Sequence, residues 1–204
     1  MPRMSDFTKL LLASFVSQTG SHFLTLALSA FVFLESGSSI QAALVFVVSF
    51  LPSILVSTRL GSWIDRSISR RVLISNDLIA CVATLICGAC IYWKLPLSIL
   101  CVVFGFRSIL SFVGRAGATK WIKLVTPPES QTARMKLFFL AFFLSTALSG
   151  ALAGVILAHG SISTVVAFDV LTYLVGVGIF SLLPFQPPLT PTPFATESEV
   201  EPSL

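Results

Sequence analysis

Six continuous apolar stretches constrain this chain more than anything else in it, because crossing a hydrocarbon layer about 30 Å thick takes about 20 residues of helix at about 1.5 Å each. They fall at about residues 8–34, 40–60, 72–93, 96–115, 136–158 and 162–184. The apolar residues run on without alternating, and buried backbone groups must be satisfied within each span, which selects helices over barrel strands. Charged residues make up only 11% of the chain, hydrophobic ones 55%, and mean hydropathy is +0.93, whereas a soluble domain carries about 25% charged residues. The expected fold is therefore all-α: a polytopic membrane protein whose six transmembrane helices occupy residues 1–184. The segment 185–204, rich in proline (Pro187, Pro188, Pro191, Pro193, Pro202) and ending in Glu197, Glu199 and Glu201, has too little apolar content to pack and is expected to be a disordered tail.

The few bases are sorted by side. Arg3 and Lys9 precede the first span, Arg59, Arg66, Arg70 and Arg71 follow the second, and Arg115, Lys120, Lys123, Arg134 and Lys136 lie between the fourth and fifth. The opposite connections, about 35–39, 94–95 and 159–161, hold only Lys94 and leave no room for an outer domain. Such an imbalance places both termini and the basic connections in the cytoplasm of a cell whose plasma (inner) membrane the chain spans. The net charge of +4 and pI near 9.1 are thus a matter of orientation; without a basic patch clear of the apolar runs, nucleic acid is not an expected partner. A cleaved signal peptide is the other reading of the first span, but its apolar run exceeds the usual core of about 7 to 15 residues, and Gln18, Gly20 and His22 at mid-depth suit a helix kept for use.

Ionised groups inside the spans are the candidates for function. Arg107 stands near the middle of the fourth span, where an arginine costs about 2.5 kcal/mol or more and normally faces a cavity or an acid. Asp169 lies about 10 Å from the outer side and Arg107 about 16 Å, a gap that an arginine side chain can nearly close; Asp77, on the third span, is the competing partner. Arg107 with one of these acids lines a substrate or proton route, or else forms a structural ion pair. His22 titrates near neutral pH unless it is a packing histidine, and Gln18 shares its mid-depth. Between the second and third spans, Gly61 permits close backbone approach, Asp65 is placed to accept from a helix N-terminus, and Arg66, Arg70 and Arg71 hold loop and helix ends or contact lipid headgroups. Gly150 and Gly154, four apart, read as helix packing.

Enzyme chemistry finds little support. Cys87 and Cys90 form a C-x-x-C pair toward the outer end of the third span, where a membrane thiol enzyme would carry one, though small residues packing helices is the plainer reading. Neither His22 nor His159 falls at ligand spacing from the cysteines, so no metal is expected. Ser149-Gly150 lacks the preceding glycine of an intramembrane serine protease, the carboxylates are not paired for acid-base work, and no glycine loop cradles a phosphate. No cofactor is implied.

The sequence Gly61-Ser-Trp-Ile-Asp65-Arg66, closed by Arg70-Arg71, resembles the loop between the second and third helices of the major facilitator superfamily of transporters. Phe50-Leu51-Pro52-Ser53, Val72-Leu73-Ile74, Asp77-Leu78, Leu124-Val-Thr-Pro-Pro-Glu129, Gly150-Ala-Leu-Ala-Gly154 and Ala167-Phe-Asp-Val-Leu-Thr-Tyr173 are similar to its drug and siderophore exporter branch. The family loop usually has glycine where this chain has Ile68, and exporters often have Gly-Pro at Gly150-Ala151. The resemblance implies half of a major facilitator fold, built as two inverted three-helix repeats, in which the charged loop latches the cytoplasmic gate. A full member has about twelve helices that rock as two bundles around a mid-membrane site. This chain is then expected to need a second bundle, its own copy or a separately encoded half, and to extrude small amphipathic solutes against protons. A non-transporting truncated or interaction subunit is the alternative. With both basic connections cytoplasmic, Arg70→Cys and Lys123→Cys will react with an impermeant maleimide only after the membrane is opened, and Lys94→Cys in intact cells; the reverse pattern contradicts the orientation.

Overall fold

The computed structural model describes residues 5–67, 69–159 and 161–184. Among them the chain forms seven helices and no strand: α1 (Asp6–Ser36), α2 (Ser39–Val48), α3 (Leu51–Ser67), α4 (Arg70–Tyr92), α5 (Leu97–Val125), α6 (Pro128–His159) and α7 (Ile162–Phe180). The predicted tail at 185–204, like Arg3 and Ile68, lies outside the described residues. Local chemistry sets the helix ends. The Ser5 hydroxyl accepts from the Thr8 N–H at 3.2 Å to open α1, and Gly37 closes it at φ 65 with its N–H on the Phe33 carbonyl, a left-handed cap that glycine adopts without steric cost. Ser38 and Ser69 cap α2 and α4 in the same way as Ser5 caps α1.

Among the described residues, five helical segments are long and apolar enough to cross a membrane: 39–67, 70–92, 97–125, 128–156 and 162–180. This chain is a multi-pass membrane protein. The sixth expected span, α1, is not among those segments. At 31 residues it has the length, but its middle, Ser17 to His22, is polar. Position explains this composition, because α1 packs against α2, α5, α6 and α7 and so shows little of its surface to lipid. Elsewhere apolar side chains face outward, as Leu55, Val102, Phe143 and Val155 do.

Three expectations about boundaries need correction. The second span is not one helix over 40–60. It breaks at Ser49-Phe50, because Pro52 lacks an N–H and its ring excludes the carbonyl four residues back, Val48, where α2 ends. Gly105 lets α5 approach the break; a Cβ there would lie 3.3 Å from Pro52 Cγ and from Val48 Cγ1. The second correction is that Gly61 to Ser67 is not a loop but the last turns of α3, and α4 resumes at Arg70. Likewise the basic segment between the fourth and fifth spans is mostly helix, with α5 running to Val125 and α6 starting at Pro128. A 29-residue helix reaches about 43 Å, which covers the hydrocarbon and both headgroup layers, so the charges stand on helix ends that project from the apolar core.

The strongest helix contacts are α1 with α7 and α6, α5 with α4 and α3, and α4 with α7. Exchanging α1, α2–α3 and α4 for α5, α6 and α7 maps these strongest contacts onto one another. Apolar clusters fill the two ends of the bundle, one around Phe23, Leu28, Cys87, Phe104 and Val165, the other around Leu10, Leu73, Trp121, Phe138 and Phe180. Cys87 and Cys90 belong to the first cluster and are buried, which shields both thiols from exchange partners. Between the clusters lies a polar belt.

The glycines divide sharply. A Cβ on Gly20 would collide with Thr172 Oγ1 and come within 2.7 Å of Asp169 Oδ1, so the α1–α7 seam depends on its absence. Gly150 and Gly154, read as packing residues, instead lie on the exposed face of α6; Gly154 has nothing within 4 Å, and Ser145, Ser149 and Ala153 form the buried face. Gly20→Val will therefore destabilise the bundle by about 1–3 kcal/mol, whereas Gly154→Ala will be neutral or stabilising by up to about 1 kcal/mol. Equilibrium unfolding in mixed micelles measures both, and equal effects would refute the assignment of the seam.

Candidate functional site

The polar belt is organised around Arg107 of α5. Its Nη2 donates to Asp169 Oδ2 of α7 at 2.6 Å and its Nε to Thr84 Oγ1 of α4 at 3.0 Å, while the Thr84 hydroxyl donates to the same Asp169 oxygen at 2.8 Å. The arginine is 3% exposed and the aspartate 0%. Three helices thus meet at one carboxylate oxygen, and the second oxygen, Oδ1, faces the Gly20 gap with no hydrogen-bond partner among the described residues. Tyr173 and Phe104 place their rings 5.7 Å from the guanidinium carbon, and the Tyr173 hydroxyl is 2.8 Å from the Ser21 hydroxyl of α1. Asp169 is the partner of Arg107, and Asp77 is not.

Asp77 occupies the counterpart position under the helix exchange, on α4 facing α1. Ser17 Oγ donates to its Oδ2 at 2.8 Å and Asn76 Nδ2 to its Oδ1 at 3.3 Å. Gly176 of α7 lies against the acid; a Cβ there would come within 3.0 Å of Oδ2. One buried acid is therefore held by a cation and a hydroxyl, the other by neutral donors alone.

In front of the Arg107 network, α1, the α2–α3 break and α5 enclose a polar cavity. Arg107, Ser108, Ser111 and Arg115 line it from α5, Ser21, His22 and Thr25 from α1, and Ser49 and Ser53 from the break. Helical spacing creates this wall, since positions 104, 107, 108, 111 and 115 share one face of α5, and 21, 22 and 25 one face of α1. Its enclosed volume, about 30 Å³, holds about one or two waters, so a larger solute needs a second wall. His22 stacks edge-on against Phe142 of α6 at 5.1 Å, and its Nε2 has no partner among the described residues. Gln18 is buried against α6 instead, beside Ser14 and Phe138, away from Arg107. The sequence reading missed Ser17, Thr84, Tyr173 and the cavity role of Arg115; hydroxyl spacing at 84 gives no signal beyond packing, but the α5 stripe was there to read.

The charged residues at the basic end pair differently from expectation. Among the described residues Asp65 accepts from Lys120 Nζ of α5 at 2.9 Å and not from a helix N-terminus, and both side chains reach solvent. Arg70 Nη1 donates to the carbonyls of Ser181 at 3.2 Å and Leu183 at 2.8 Å, tying the start of α4 to the chain beyond α7. Lys9 reaches the neighbouring Leu182 carbonyl at 3.2 Å. Arg66 and Arg71 are exposed, and Gly61 is half-buried with open space where a Cβ would stand.

A family profile described as Major Facilitator Superfamily matches residues 10–204, so this chain belongs to that superfamily. It is a membrane transport protein of the major facilitator type. Neither a curated protein nor a solved structure matches it.

Exposure ranks the Lys120–Asp65 pair below the Arg107–Asp169 pair. Lys120→Gln will change unfolding free energy by no more than about 1 kcal/mol, and less at high salt. Thr84→Val, which removes a hydroxyl bonded to both members of the buried pair, will cost about 1–3 kcal/mol. A larger loss at Lys120 than at Thr84 would overturn this ranking.

Proposed function

We propose that this chain is one six-span bundle of an exporter-type secondary transporter, with α1 as its sixth span, held in the membrane by the helices around it. It moves small amphipathic solutes out of the cell at the expense of a proton gradient, across a plasma (inner) membrane with both termini cytoplasmic. One observation carries the reading: within an otherwise apolar bundle, α1, the α2–α3 break and α5 form a continuous polar wall with Arg107 at its back. A structural ion pair alone requires no such wall. The flanking spans α2–α3 and α6 are the least covered by their own chain, and the cavity admits nothing larger than water by itself. Both features suit a second bundle, either another copy or a separately encoded half.

Cells making the protein will clear a fluorescent dye faster than controls, an uncoupler will stop the clearance, and Arg107→Ala will reduce it at least tenfold. In mild detergent the active species will be larger than one chain. A monomer that moves no dye would favour a non-transporting interaction subunit, and unchanged clearance by Arg107→Ala would remove that residue from the route.

A further inference from the structure

We propose that the cavity between α1, the α2–α3 break and α5 selects anionic solutes that also carry hydroxyl donors, with Arg115 as its principal charge contact. The inference rests on the transport reading above and narrows its substrate class.

The wall is one-sided in charge. Arg107 and Arg115 line it, and no carboxylate does. Arg107 is neutralised from behind by Asp169. Arg115 is not: among the described residues no carboxylate lies within ion-pair distance of it, and its guanidinium rests 5.1 Å from the centre of the Phe142 ring. The nearby acids are engaged elsewhere, Asp65 by Lys120 and Asp77 by Ser17 and Asn76. A half-buried guanidinium on a membrane-spanning helix normally pairs with an acid or faces a wet cavity. Here it leaves the cavity with an uncompensated positive charge, and low-dielectric walls focus that field on what enters.

Geometry adds a second requirement. Arg115 stands eight residues from Arg107 on α5, about 12 Å along the axis, with Ser108 and Ser111 between. The Nη1 of Arg107 takes no part in the Thr84–Asp169 network. The two guanidiniums therefore offer forks at both ends of the wall, the arrangement that grips carboxylate-like oxygens. The hydroxyls of Thr25, Ser49, Ser53 and Ser108 donate to backbone carbonyls one turn back, so they present lone pairs to the cavity. Those lone pairs match O–H groups on the solute, and a cationic solute meets like charge with no carboxylate to receive it.

Carboxyfluorescein, which carries carboxylates and a phenol, is a suitable probe, with cationic ethidium as its opposite. Fluorescence polarisation with the assembled species, larger than one chain and so supplying the second wall, in lipid nanodiscs will show carboxyfluorescein bound at least tenfold more tightly than ethidium. Arg115→Gln will weaken carboxyfluorescein at least tenfold, while Arg115→Lys, which keeps the charge but loses the fork, will weaken it less than Arg115→Gln does; circular dichroism of both variants shows that the bundle is intact. Equal affinity for the two dyes, no binding of carboxyfluorescein, or an unchanged affinity in Arg115→Gln would overturn the inference. Carboxyfluorescein bound through Arg115 but never extruded by cells supports it and contradicts the transport reading; extrusion of ethidium without carboxyfluorescein overturns it and leaves that reading standing.

Discussion

A guanidinium and a carboxylate 2.6 Å apart, in a bundle whose outer surface is hydrocarbon-facing, set the terms for everything packed around them. Neither group is tolerated alone at that depth, so α5 and α7 are obliged to hold Arg107 and Asp169 face to face. Thr84 brings α4 to the same oxygen, and Gly20 is needed so that α1 can close over Asp169 without striking it. The pair thereby fixes where four helices stand. It also fixes which way α5 is rotated, and that rotation turns Ser108, Ser111 and Arg115 onto the wall of the cavity.

The belt has a second member that follows the same plan with different chemistry. Asp77 sits between α4 and α1 as Asp169 sits between α7 and α5, and Gly176 crowds it as Gly20 crowds Asp169. A cation supports one acid and neutral donors support the other. Charge is thus concentrated on the α5 side, next to the cavity, while the α1 side offers hydroxyls. At the basic end, Arg70 and Lys9 bind carbonyls just beyond α7, so the charged residues there fasten helix ends together in addition to orienting the chain.

Much of this was legible in the sequence because a membrane imposes length and apolarity on each span, and those are read directly. What resisted reading depends on rotation about helix axes. Depth along the helix left Asp77 and Asp169 both open as partners for Arg107; only the facing of α7 decides between them. Arg115 passes for a topology anchor when its helix is expected to stop there, and becomes a cavity residue once α5 continues to Val125. The break in the second span was written in Pro52 but was masked by the apolar residues on either side. Gly150 and Gly154 carry a packing pattern on a face that the chain leaves uncovered, whereas Gly20 and Gly176, spaced in no motif, make the close approaches.

The dependence of the bundle on the Arg107–Asp169 pair is tested most directly by a double-mutant cycle with Arg107→Met and Asp169→Leu, read by equilibrium unfolding in mixed micelles. Each single change leaves a buried charge unpaired and should cost about 3–5 kcal/mol, while the double variant, with two apolar residues in place of two charges, should recover most of that loss. Single losses that simply add in the double variant would contradict the claim that this pair organises the fold.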